Sequence, residues 1–217
     1  MAYLRDWGAR PGKVIDVGAY HGEWTKMFRQ IFPDAEALMV EAQERLRPVL
    51  ENCVREQGGA VKFEIALLGA KDGEKVSFVE LGGGTGSSVF EEASPIHHRT
   101  KVEKQLRTLD PIALDHGFAD ADFLKIDVQG YELEVLKGAS SILSSVEFVL
   151  VESSLIPINK GCPLIHEVMA FMAARGFRLL DFCSQIRRHD KALWQTDLLF
   201  IKSDSDLLPA PYLDLAN

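Results

Sequence analysis

An α/β fold built on a mostly parallel sheet is predicted by three observations. A strand, a tight glycine turn and a helix follow one another at Lys13–Gly22, KVIDVGAYHG. Short apolar runs then alternate with segments of helical period along most of the chain. Four of those runs end on an acid: Asp16, Glu41, Asp127 and Glu152. Ligands of open parallel sheets bind outside the carboxyl ends of the strands, so these four acids are expected along one rim.

The opening turn carries most of the functional information. Small residues at Gly18, Ala19 and Gly22 let the backbone come close to a ligand, while the free N–H groups of the following helix face it. Dinucleotide loops read G-x-G-x-x-G, whereas this one reads D-x-G-x-x-x-G. Asp16 would repel a phosphate but could hold an ammonium. Roughly 23 residues after Gly18, the run Ala37–Val40 ends on Glu41, where such folds place a carboxylate that accepts from a ribose diol. The two acids together suggest a cationic nucleoside without phosphates, a description that S-adenosylmethionine fits. The competing assignment makes Asp16 a helix cap and Glu41 a solvated strand end.

The elements follow in order. Glu23–Ile31 places Trp24, Met27, Phe28 and Ile31 at helical spacing and stops at Pro33-Asp34. Ala37–Val40 is a buried strand. Arg45–Glu56 carries Leu46, Val49, Leu50 and Cys53 on one helical face before Gly58-Gly59. Val61–Leu67 alternates as a strand near a sheet edge, and Ala66 and Leu67 at its end are either adenine wall or core. Lys75–Val79 is another short strand. Residues 82–100 have four glycines, a proline and no period, which predicts a substrate loop or lid. Asp110 and Pro111 then begin a short helix.

Phe123–Ile126 reads as a buried strand ending at Asp127, with Tyr131–Lys137 as the helix after it. Lys125 is costly to bury unpaired in such a strand, so a carboxylate partner or an exposed strand end is expected. Glu132 and Glu134 are expected to be solvated or paired with lysines. Val146–Val151 is a strand ending on Glu152, Leu164–Ala174 a helix, and Phe177–Phe182 and Asp197–Ile201 the last strands. Residues 203–217 read as a tail.

With 217 residues and 47% hydrophobic content, a single domain over 1–217 is expected. The net charge of −8 gives no footprint for a phosphate backbone, so no nucleic-acid partner is expected. Cys53, Cys162 and Cys183 show no C-x-x-C spacing, which speaks against a disulfide framework or zinc site and for a reducing cytoplasm. No stretch has the length of a membrane span.

Several stretches resemble the FkbM family of S-adenosylmethionine-dependent methyltransferases. Asp16–Gly22 (DVGAYHG) resembles its first motif and Lys125–Ala139 (KIDVQGYELEVLKGA) its most distinctive one, and Val151–Ser153 and Gln195–Lys202 (QTDLLFIK) also fit. The resemblance implies a class I methyltransferase (Rossmann-like) three-layer sandwich. Its seven-stranded sheet would run in the order 3-2-1-4-5-7-6 with the last strand antiparallel. It further implies methyl transfer, in many members to oxygen. Two residues depart from the family pattern: Tyr20 stands where Asn is usual, and Gln129 where Glu is usual.

Methyl transfer from a sulfonium depends mostly on alignment, with a base needed only for the acceptor's proton. Asp127 is the first candidate, either as that base or as the group that holds the cofactor's ammonium. His97, His98 and His166 are further candidates. Magnesium would suit a pair of carboxylates such as Asp127 and Glu152, but two acids do not specify it. The acceptor is expected to be a hydroxyl of a small molecule or sugar. Two alternatives stay open: a binding or regulatory protein on the same fold, and an NAD-dependent oxidoreductase or epimerase. The latter is disfavoured by the absent G-x-G-x-x-G and the lack of a Tyr-x-x-x-Lys pair.

Overall fold

The computed structural model describes residues 1–81, 99–157 and 161–208. Helix α1 (Ala2–Asp6) precedes strand β1 (Lys13–Val17), and α2 (Glu23–Ile31) leads into β2 (Glu36–Glu41). Next come α3 (Arg47–Glu56), β3 (Val61–Ile65), β4 (Leu67–Leu68), β5 (Lys75–Leu81) and β6 (Arg99–Arg107). The second half holds α4 (Leu109–His116), β7 (Phe123–Ile126), α5 (Glu132–Lys137), α6 (Ser140–Ser145), β8 (Phe148–Ser154) and α7 (Ile165–Ala173). It closes with β9 (Phe177–Phe182), β10 (Ile186–Arg187) and β11 (Leu193–Lys202).

The main sheet runs β10-β11-β8-β7-β1-β2-β3, with β9 also paired to β11. Strands β3, β2, β1, β7 and β8 are mutually parallel, and β11 is antiparallel to β8, β9 and β10. Apart from the two-residue β10, the seven strands taken in chain order lie 3-2-1-4-5-7-6 with the seventh reversed, as the resemblance implies. The class I methyltransferase fold is therefore the fold of this chain.

Alternation along the strands produces the layers, because successive side chains leave opposite faces. Ile15, Val17, Leu38 and Val40 join a core with Ile112 of α4, Leu136 of α5, Ile142 of α6 and Met172 of α7. Val14, Ala37, Met39 and Phe123 join a second core with Leu4 of α1, Phe28 of α2 and Leu50 of α3. Phe28 is fully buried against Phe123 at a ring separation of 5.0 Å. A side chain of that size contributes about 1.5–3 kcal/mol by leaving water. Leu207 and Leu208, in the expected tail, also pack on this second core.

Two expectations change. The strand predicted over Val61–Leu67 breaks at Ala66, where Leu67–Leu68 leave the main sheet to pair with Leu106–Arg107. That pairing belongs to a second sheet, β4-β6-β5, in which β5 and β6 are antiparallel. Strand β6, RTKVEKQLR, lacks an apolar stripe and is legible only through its partner: Lys104 pairs with Glu80 at 2.9 Å and Lys75 with Glu103 at 2.9 Å. The expected lid, residues 82–100, lies outside the described residues apart from Arg99 and Thr100, which begin β6. His97 and His98 lie outside them too, as do residues 209–217 of the tail. Among the described residues, no helix is long and apolar enough to cross a membrane.

Candidate active site

The carboxyl ends of β1, β2 and β7 converge because their loops share backbone hydrogen bonds. Gly18 N–H donates to Val40 O at 2.9 Å and Asp127 N–H donates to Val17 O at 3.0 Å. At Gly18, where φ is +77°, an added Cβ would fall 1.8 Å from the Asp127 carbonyl oxygen. The glycine is thus required twice, by its left-handed backbone and by the close approach of a neighbouring loop.

Above this junction opens a cleft of about 670 Å³, counting the open solvent at its mouth. Gly18, Glu41, Ala66, Leu67 and Asp127 line it, as do Tyr20 and Gln129, the two departures from the family pattern, together with Gln43, Phe78 and Tyr131, which sequence reasoning did not assign to a ligand wall. Phe78 comes from β5, so the second sheet closes one side of the cleft. Its contribution depends on a fold-over of two strands that no local pattern announces. None of the described lining residues is Lys, Arg or His.

Glu41 is buried yet keeps capacity for a ligand. Its Oε1 accepts from Gln43 N–H at 2.9 Å and Gln43 Nε2 at 3.1 Å, and its Oε2 accepts from Tyr20 N–H at 2.9 Å. Gln43 is oriented in turn by Arg45, whose Nη2 donates to its Oε1 at 2.6 Å. Of the roughly four acceptor positions on a carboxylate, one on Oε2 stays open. Tyr20 reaches this bond with a left-handed backbone at φ +49° and stacks on His21 at 3.8 Å. Asn, usual at this place in the family, adopts that conformation at lower cost than a bulky residue.

Asp16 does not face the cleft. It is fully buried, with Oδ2 accepting from Thr25 Oγ1 at 2.7 Å and Oδ1 lying 3.1 Å from Lys125 Nζ. The ammonium it holds belongs to the protein. Ala19 and Gly22 also stand away from the lining, and a Cβ on Gly22 would meet Cys53 Sγ at 2.8 Å. Lys125 has the expected carboxylate partner in Asp16, its register neighbour, and lies 3.6 Å from Asp127 Oδ2. Burial alone would depress the Lys125 ammonium, but Asp16 and Asp127 outweigh it and hold it above the usual lysine value.

Beside the cleft a buried group of acids forms around Gln129. Its Nε2 donates to Asp127 Oδ1 at 3.0 Å and to Glu152 Oε2 at 2.9 Å. Burial first, then the nearby carboxylates of Asp127, Glu132 and Asp197, push the Glu152 carboxyl up to about 10. Asp197, the register partner of Glu152 on β11, is raised by the same burial. Glu132 is not solvated as expected: it is buried and accepts from Gly130 N–H at 2.8 Å and Val128 N–H at 3.3 Å. Burial pushes it up to about 7 against the pull of those amides. Glu134 does pair with a lysine, Lys137. His166 is exposed on α7 and does not line the cleft. Among the described residues, no group of three His, Cys, Asp or Glu is placed to hold a metal ion.

A reversed-last-strand sheet with a carboxylate-lined cleft at its carboxyl edge, free of cations among the described residues, defines a protein of the class I methyltransferase type. The model of the methyltransferase FkbM domain matches residues 16–179, and the chain belongs to that family. A search of curated proteins by sequence finds no match.

Similar solved structures share the fold. The 1,6-didemethyltoxoflavin-N1-methyltransferase of Burkholderia thailandensis, with bound 1,6-didemethyltoxoflavin and S-adenosylhomocysteine, aligns at a TM-score of 0.54 and 15% identity. That alignment covers 94% of this chain and 76% of the other. The magnesium protoporphyrin IX methyltransferase of Synechocystis PCC 6803, with bound S-adenosylmethionine, aligns at 0.55 and 13%, covering 93% and 76%. TrmK of M. capricolum, in complex with S-adenosylhomocysteine, aligns at 0.53 and 9%, covering 92% and 67%.

Proposed function

We propose that the chain is an S-adenosylmethionine-dependent methyltransferase acting on a hydroxyl of a small molecule or sugar. The observation that carries the cofactor is the charge of the cleft: Glu41 and Asp127 face it and no described cation does. A pyrophosphate would find no counter-charge among the described lining residues, whereas a nucleoside with a cationic arm finds two. Ala66, Leu67 and Phe78 offer an apolar wall for the base, and the open position on Glu41 Oε2 suits a ribose hydroxyl. The solved structures that bind this cofactor or its product support the same reading. When bound, the cofactor supplies a methyl group on a sulfonium.

Displacement at that carbon would need an acceptor oxygen held in line with the leaving sulfur. The protein's part is to align the two and to accommodate the acceptor's proton. Asp127 lines the cleft, and in this reading it meets the cofactor's amino-acid arm or the acceptor.

Calorimetric titration with S-adenosylhomocysteine, with NAD alongside, tests the reading: saturable one-to-one binding of the former alone is expected. Folded protein that binds NAD, or neither ligand, overturns it. Glu41→Gln is expected to weaken S-adenosylhomocysteine about ten-fold, the scale of one charge-assisted hydrogen bond. Glutamine is preferable to alanine because Glu41 also holds the Tyr20 and Gln43 amides, and Ala would leave both without that acceptor. Asp127→Asn is expected to lower methyl transfer about ten-fold or more in an acceptor screen with labelled donor below saturation, with unchanged circular dichroism.

A further inference from the structure

Asp127 and Glu152 are held by one amide nitrogen, and a proton on Glu152 has Asp127 within its reach. Gln129 has two N–H groups on that nitrogen and an acid on each, so it can only be a donor to both. Two carboxyl groups this close and this dry do not both ionise, because like charges in a poorly solvated site repel. The charged and titratable groups around Glu152 are Asp127 beyond β7, Glu132 on α5, Asp197 on β11 and Lys125 on β7. Three of these four neighbours are acids, and the one cation is already committed to Asp16 and Asp127. Asp127 is the half-exposed member of the pair and faces the cleft, whereas Glu152 is buried.

We propose that Glu152 and Gln129 are positioning residues that give the cleft a single, aimed negative charge on Asp127, and that this charge selects ligands carrying an ammonium group. Glu152 keeps its proton and donates it to Asp127, and Gln129 fixes the orientation of both. This assigns Asp127 to holding the amino-acid arm rather than to taking the acceptor's proton. The inference rests on the methyltransferase reading and goes beyond it in naming the ligand group recognised and the residues that set its charge.

The test compares S-adenosylhomocysteine, which has the ammonium, with 5′-methylthioadenosine, which lacks it. Wild type is expected to prefer the former, and Asp127→Asn to lose about ten-fold or more of that preference. Glu152→Gln imitates a protonated carboxyl and keeps both hydrogen bonds, so it is expected to lower the preference less than about three-fold. A Glu152→Gln variant as damaged as Asp127→Asn, or an Asp127→Asn variant with the preference intact, overturns the inference. Absence of S-adenosylhomocysteine binding in folded wild type overturns the methyltransferase reading, and the inference with it.

A second readout needs no ligand. Glu152 ionises near its ordinary value in the unfolded chain and only at about 10 in the folded one, so between those limits the unfolded state binds fewer protons and stability falls as pH rises. Glu152→Gln is therefore expected to raise Tm by about 4 °C at pH 8, with the gain shrinking toward pH 5. A lower Tm at pH 8 would mean that Glu152 works as an anion.

Discussion

Replacing Gly18 with alanine is expected to destabilise the fold by more than about 4 kcal/mol, the range reserved for severe steric or backbone faults. Two costs add. The left-handed φ of +77° charges any L side chain about 1–2 kcal/mol. The new Cβ would also stand 1.8 Å from the Asp127 carbonyl oxygen, a backbone atom that cannot rotate away. Gly73→Ala separates the two: φ there is +79°, but nothing lies within 4 Å of the added carbon. Urea unfolding should show Gly73→Ala losing only the backbone part and Gly18→Ala losing far more. Equal losses would mean that the β1 and β7 loops yield without cost. The junction they form is also the floor of the cleft, so the same variant should lose S-adenosylhomocysteine binding wherever it remains folded.

Much of this architecture was legible because it depends on short-range signals. The D-x-G-x-x-x-G turn, the apolar strands and their terminal acids are local, and the alternation of strand and helix leaves few ways to connect them. Lys125 was legible for a different reason: an ammonium in the middle of a buried strand demands a partner, and Asp16 lies beside it in register. What the sequence hid was depth. Asp16 and Glu41 both end strands and leave the sheet on the same face, since Asp16 lies opposite Met39 in register and Glu41 is two residues further on. Those two residues decide between a core ion pair and a ligand contact at the cleft, and no boundary read from sequence is that sharp.

The second sheet was hidden more deeply. Strand β6 has few β-branched or aromatic residues and gains its conformation from β5, across a segment of the chain with no period at all. Phe78 therefore entered the cleft unannounced. Gln129 and Tyr20 could be flagged only as departures from a family pattern. Their geometry explains why they matter: both lie on left-handed backbone, at φ +56° and +49°, and both line the cleft. Strained residues at a site persist when surrounding bonds fix them, here the Gln129 bridge and the Tyr20 amide on Glu41.

Lys125→Met is expected to cost about 3–5 kcal/mol, comparable to other broken buried ion pairs. The methionine fills most of the volume, so the loss is electrostatic. Asp16 would keep one hydrogen bond, from Thr25, and its Oδ1 would lose the cation 3.1 Å away, the partner that compensates its burial. That oxygen has no other hydrogen-bond partner among the described residues. One further measurement identifies the cause. Combining Lys125→Met with Asp16→Asn should recover most of the loss, since a neutral amide can stay buried with the Thr25 contact. No rescue by the double variant would mean that Lys125 contributes through its packing against Trp24, 5.9 Å from the ammonium, rather than through its charge.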